Sequence, residues 1–112
     1  MKEWIRNAGM KWVFPLLFAF LFLPAIGAKA DAEATYKAKC AGCHGPDGVG
    51  STAAGKAMKV RDFHSPEVQK ETDAELTDII ANGKNKMPKF SDKLKDTEIK
   101  ELVGYVRGLG KK

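Results

Sequence analysis

Cys40-Ala41-Gly42-Cys43-His44 holds both cysteines of this 112-residue chain and one of its two histidines. The grouping constrains the fold more than any other feature, because three chemistries use it and each demands a different setting. A redox dithiol of the thioredoxin kind sits in a βαβ unit. No stretch of this chain alternates apolar and polar residues with period two, so no strands are expected. A structural zinc needs four ligands at recognised spacings. Cys40, Cys43, His44 and His64 reach that number, but His44 follows Cys43 directly and crowds a tetrahedron. The third chemistry requires this spacing. C-x-x-C-H attaches c-type haem: two thiols add to the two vinyl groups as thioethers, and the imidazole that follows lies beneath the iron as an axial ligand.

The N-terminal part of the chain agrees with export. Lys2, Arg6 and Lys11 precede the apolar run "WVFPLLFAFLFL", and "PAIGAKA" ends in Ala28-Lys29-Ala30. A basic start, a short apolar stretch and small residues at the end describe a secretory signal peptide over residues 1–30, with cleavage expected after Ala30. An uncleaved leader would instead anchor the chain in a membrane. No cysteine follows the apolar run, so a lipid anchor is not indicated. Of 19 basic and 14 acidic residues in the whole chain, the leader holds four and one, leaving 15 and 13 over residues 31–112. That mild excess, with no long basic run, excludes a nucleic-acid partner. About eighty residues bury a modest core and benefit from a staple. A disulfide across three residues would constrain little chain, whereas a large cofactor would organise the whole.

The remaining chain reads as one all-α domain, residues 31–112. "DAEATYKAK" forms a helix leading into the cysteines, with Ala32 and Tyr36 on the face of Cys40. Five glycines between Gly42 and Gly55 make a loop. "KAMKVRDF" forms a short helix or turn. Ser65 caps a single turn that opens on Pro66. Thr72 and Glu75 match the capping box of a helix over 72–83, with Leu76, Ile79 and Ile80 buried and Gly83 ending it in the left-handed conformation. The last helix, 96–110, is capped by Asp96 and buries Ile99, Leu102, Val103, Val106 and Leu109, with charges that suit the helix dipole.

A histidine-held haem iron has a sixth position. Met87 lies in "NGKNKMPKF", an apolar residue alone among Lys84, Asn85, Lys86 and Lys89, with Pro88 stiffening the backbone beside it. Met58 is the second candidate, though a methionine in a small core is commonly filler. His64, in the polar turn "DFHSP", reads as a surface histidine.

The chain resembles the class I c-type cytochromes, in particular the small monohaem electron carriers of bacterial and photosynthetic type. The likeness rests on Tyr36 four residues before Cys40, "CAGCHG", "DGVGSTAAGKAM", "NGKNKMP" and "ELVGYVRGL". It implies a cytochrome c fold of three to five short helices around one haem c, bound covalently through Cys40 and Cys43. It implies His44 and Met87 as axial ligands. It also implies a crossing of the first and last helices, where Ala32 and Tyr36 meet Leu102 and Tyr105 and Gly104 permits close approach. The His44 ring N–H is expected to donate to a carbonyl in the Gly45–Gly50 loop, that of Pro46 being the candidate. Arg61 is a candidate partner of a haem propionate.

With both axial positions filled, substrate cannot reach the iron. The expected activity is electron transfer between redox proteins in the periplasm, by a monomer and not by an enzyme. A thioether ligand raises the potential relative to a second imidazole. Lys56, Lys59, Lys84, Lys86 and Lys89 are candidates for steering an acidic partner. A labile Met87 would instead make the protein a sensor of CO or NO. An open iron with His64 nearby would suit a peroxidase, and free thiols a thiol–disulfide protein.

Overall fold

The computed structural model describes residues 27–112. Six helices lie among them: α1 (Gly27–Lys39), α2 (Ala41–His44), α3 (Ala53–Met58), α4 (Pro66–Gln69), α5 (Asp73–Asn82) and α6 (Asp96–Gly110). No β-strand is found among the described residues; one isolated bridge joins Lys84 and Met87. The fold is all-α, as expected. The helices number six because Ala41–His44, read from its glycines as loop, closes a single helical turn. The expected leader lies outside the described residues except for Gly27–Ala30, which begin α1. That helix therefore starts four residues earlier than the expected one, in an alanine-rich segment that favours helix.

Local signals place the shorter elements. Ser65 caps α4, accepting from the Val68 N–H, and Pro66 takes its first position. The Thr72 side chain accepts from the Glu75 N–H at 3.1 Å, and the Glu75 carboxylate accepts from the Thr72 N–H at 2.7 Å, completing the capping box. Thr72→Ala should lower stability by about 1 kcal/mol. In a domain of this size that is a fall of about 4–8 °C in Tm, readable in a thermal melt followed by circular dichroism.

Two expected helix ends are corrected. Lys95, not Asp96, occupies the N-cap of α6 and makes no side-chain cap; Asp96 lies in the first turn with Glu98, where negative charge still suits the dipole. Gly83 has positive φ, but its ψ of 166° is extended and not left-handed helical. Glycine is needed there, since a Cβ would lie 2.6 Å from the Met87 carbonyl oxygen.

The core forms where α6 packs across α1 and α5. Tyr36, Ile99 and Leu102 are its most buried large side chains. The Tyr36 and Tyr105 rings meet at 5.0 Å, as the expected crossing requires. Gly104 does not provide the close approach: among the described residues, a Cβ there would meet nothing within 4 Å. Arg107 ties α6 to the start of α5, donating to the Asp73 carboxylate at 2.8 Å and to the Glu71 carbonyl.

Candidate functional site

The segment after α1 is wound so that its reactive groups share one side. The Cys40 N–H donates to the Tyr36 carbonyl and the His44 N–H to the Cys40 carbonyl, both at 2.9 Å. This single turn puts Cys40, Cys43 and His44 at i, i+3 and i+4, which are neighbours on a helix surface. The following loop closes against it. The Gly50 N–H donates to the His44 carbonyl at 2.8 Å. The Thr52 hydroxyl lies 2.9 Å from the Gly42 carbonyl and 3.0 Å from that of Cys43, and accepts from the Gly55 N–H at 2.9 Å. Gly55 must be glycine because a Cβ would strike the Cys43 carbonyl.

Cys40, Cys43 and His44 line a cleft of about 290 Å³. Leu76, Ile79 and Ile80 of α5 and Leu102, Val103 and Val106 of α6 supply apolar wall. Ile79 and Ile80 are half-buried, not fully buried as their helical period implied, because they face this opening. Met87 and Pro88 reach the same cleft from a tight turn, in which the Met87 N–H donates to the Lys84 carbonyl at 2.9 Å. Met58 lines it too. The structure thus brings together Cys40, Cys43, His44, Met87 and the second methionine. His64 is not among the cleft residues; its Nδ1 lies 2.7 Å from the Asp62 carboxylate. The four-ligand zinc set is therefore not assembled among the described residues.

The electrostatics separate the remaining chemistries. Burial pushes the Cys40 thiol up to about 11, the reverse of the depressed value that makes a redox cysteine reactive. Burial, helped by the charge of Arg61, holds the His44 imidazole below its ordinary range. It is therefore neutral at neutral pH, as a metal-binding imidazole must be. Its ring lies against Phe63, with centroids 4.8 Å apart.

Two expectations are corrected here. The His44 Nδ1 is buried without a hydrogen-bond partner, so the expected bond to a carbonyl of the Gly45–Gly50 loop is absent. The Gly45 carbonyl accepts from the Tyr36 hydroxyl at 2.6 Å and from the Gly48 N–H at 3.3 Å, and the Phe63 ring lies against the imidazole, tilted 30° from its plane. Arg61 does line the cleft, but its guanidinium grips Glu71 through two bonds of 2.6 and 3.1 Å, with Glu67 at 3.7 Å. A propionate there would compete with a carboxylate already in place. Sequence reasoning also missed Phe63 and Thr52. Neither carries a periodic or motif signal, and both matter only once the loop folds back.

Two thiols, a neutral imidazole and a thioether around an apolar cleft fit a covalently attached haem, and the donor set matches the c type. Comparison with known proteins agrees. The family profile described as "Cytochrome C oxidase, cbb3-type, subunit III" matches residues 27–106. Cytochrome c6 of Nostoc sp. is 33% identical over 107 residues, covering 88% of this chain and 94% of its own length. The Cbb3-type cytochrome c oxidase subunit CcoP of Azospirillum sp. is 33% identical over 91 residues, or 75% of this chain, but only 29% of that subunit is matched. Among solved structures, the KustC0563 c-type cytochrome superposes with a TM-score of 0.66 at 36% identity, covering 70% of this chain and 96% of that one. The chain belongs to the class I c-type cytochromes, and haem c is the cofactor this membership implies.

Proposed function

We propose that the protein is a monohaem electron carrier exported to the periplasm, with Cys40 and Cys43 forming the thioethers and His44 and Met87 the axial ligands. One observation carries the reading: these four side chains, separated by up to 47 positions in sequence, line a single apolar cleft. In this reading the leader is removed after Ala30, and residues 31–112 work as a monomer.

Haem c, when bound, supplies a one-electron ferric–ferrous couple. The Met87 thioether favours the reduced form more than a second imidazole would. The apolar walls from α5 and α6 act in the same direction, by disfavouring the added charge of the oxidised form. With His44 and Met87 both engaged, no position is left for a substrate, and electron transfer to another protein is the activity that remains. Cytochrome c6, the relative matched over nearly its full length, supports the same reading.

The test is an optical spectrum of periplasmically expressed protein, oxidised, reduced and then exposed to CO. A low-spin c-type spectrum that ignores CO is expected. A high-spin spectrum, or prompt CO binding by the reduced protein, would replace the carrier with a sensor of CO or NO.

The partner in this reading is a redox protein with an acidic docking face. Lys39, Lys59, Lys84 and Lys86 are exposed and border the cleft, while Lys56 and Lys89 are exposed away from its walls. Glu67 interrupts this rim. The bimolecular rate with an acidic redox protein should fall about tenfold or more between roughly 10 mM and 500 mM salt. Stopped-flow measurement checks it, and a rate independent of salt would remove the steering role of the lysines.

A further inference from the structure

Tyr36 is only 1% exposed, and it grips both ends of the attachment turn. Its carbonyl accepts from the Cys40 N–H at 2.9 Å, where the turn begins. Its hydroxyl donates to the Gly45 carbonyl at 2.6 Å, immediately after His44. Packing alone does not require that hydroxyl. The ring sits against Tyr105 at 5.0 Å and Phe63 at 6.4 Å, contacts that a phenylalanine would make equally well. A hydroxyl in an apolar core is costly unless it is bonded, so the bond to Gly45 accounts for its presence. Burial also pushes the phenol well above its ordinary range, so it remains a proton donor throughout the working pH range.

We propose that Tyr36 is a positioning residue for the haem-bearing turn, and that its hydroxyl, by capping the Gly45 carbonyl beside His44, raises the electron affinity of the site. The inference rests on the haem reading above. A carbonyl oxygen is the negative end of a dipole, and an O–H directed at it cancels part of that field. Without the hydroxyl, the Gly45 carbonyl beside His44 keeps only the longer bond from the Gly48 N–H, at 3.3 Å, and loses its short one. Its less compensated negative end favours the form carrying more positive charge, the ferric one. The Phe63 ring, which contacts both Tyr36 and His44, is unaffected by loss of one oxygen, so the electrostatic effect can be read apart from packing.

The test uses haem-loaded protein in three versions: wild type, Tyr36→Phe and Tyr105→Phe. Tyr36→Phe should keep its helical circular dichroism while its ferric–ferrous equilibrium shifts about threefold toward ferric in a spectroelectrochemical titration. That is a fall of about 30 mV for one electron. Tyr105→Phe keeps the ring contact, lacks any bond to the loop, and should titrate as wild type. A potential unchanged in Tyr36→Phe, or moved as far in Tyr105→Phe, overturns the proposal. Should Tyr36→Phe fail to accumulate, NMR of the reduced wild type decides: a slowly exchanging Tyr36 hydroxyl proton close to Gly45 supports it, and absence of that proton overturns it. A wild type purified without haem overturns the preceding reading as well, whereas a haem-loaded wild type with no Tyr36 effect overturns this one alone.

Discussion

Replacing Cys40 and Cys43 together by alanine should yield a chain that retains no covalently held haem and loses most of its helical signal. The magnitude follows from the cleft. With the group missing, water enters the open cleft, and each apolar side chain of its wall left wet forgoes about 1 kcal/mol or more of burial. Domains of this size are stable by about 5–15 kcal/mol in total. The core has little to set against such a loss, because Ile79, Ile80, Met87 and Val106 are half-buried and their remaining burial depends on what occupies the cleft. A haem stain on a denaturing gel, together with far-UV circular dichroism, checks the result. A colourless double variant with undiminished helicity would mean that the fold does not depend on a covalently held group, and the thiols would need another explanation.

Met87→Ala is expected to leave the haem attached but to change its chemistry. The sixth position opens, so the spectrum should move toward high spin and the reduced protein should bind CO rapidly. Loss of the thioether should also shift the ferric–ferrous equilibrium toward ferric by about a hundredfold or more, roughly 0.12 V for one electron. Met58→Ala is the necessary comparison, because Met58 lines the same cleft. It should cost stability as a packing residue and leave the spectrum in place. If the two variants exchange these outcomes, Met58 is the ligand. Optical titration with CO and a spectroelectrochemical potential measure both effects.

The sequence was most readable where one short stretch carries its own physics. Thr72 and Glu75 announced the start of α5, and Ser65-Pro66 that of α4, because a cap is a relation between residues three apart or fewer. The five apolar positions of α6 followed a helical period, and four of them are buried. The Cys-x-x-Cys-His motif is legible as a candidate attachment site, yet the glycines around it conceal a helical turn. What escaped the sequence depends on distant chain returning. Phe63 reaches His44 from nineteen positions away, the Tyr36 hydroxyl takes the Gly45 carbonyl nine residues on, and His44 Nδ1 lacks a partner. Arg61 looked free because Glu71 is ten residues removed and only the fold brings them together.

The two arginines of residues 31–112 converge on one short junction. Arg61 holds the Glu71 carboxylate, and Arg107 holds the Glu71 carbonyl and the Asp73 side chain. From that junction the backbone runs through α5 to the turn bearing Met87. On the proposed ligation, the sulfur follows a helix whose start, fourteen residues upstream, is fastened by two guanidinium groups. A charge lost at residues 71–73 would then be felt in the cleft through the backbone of α5, with all four proposed haem-binding side chains left in place.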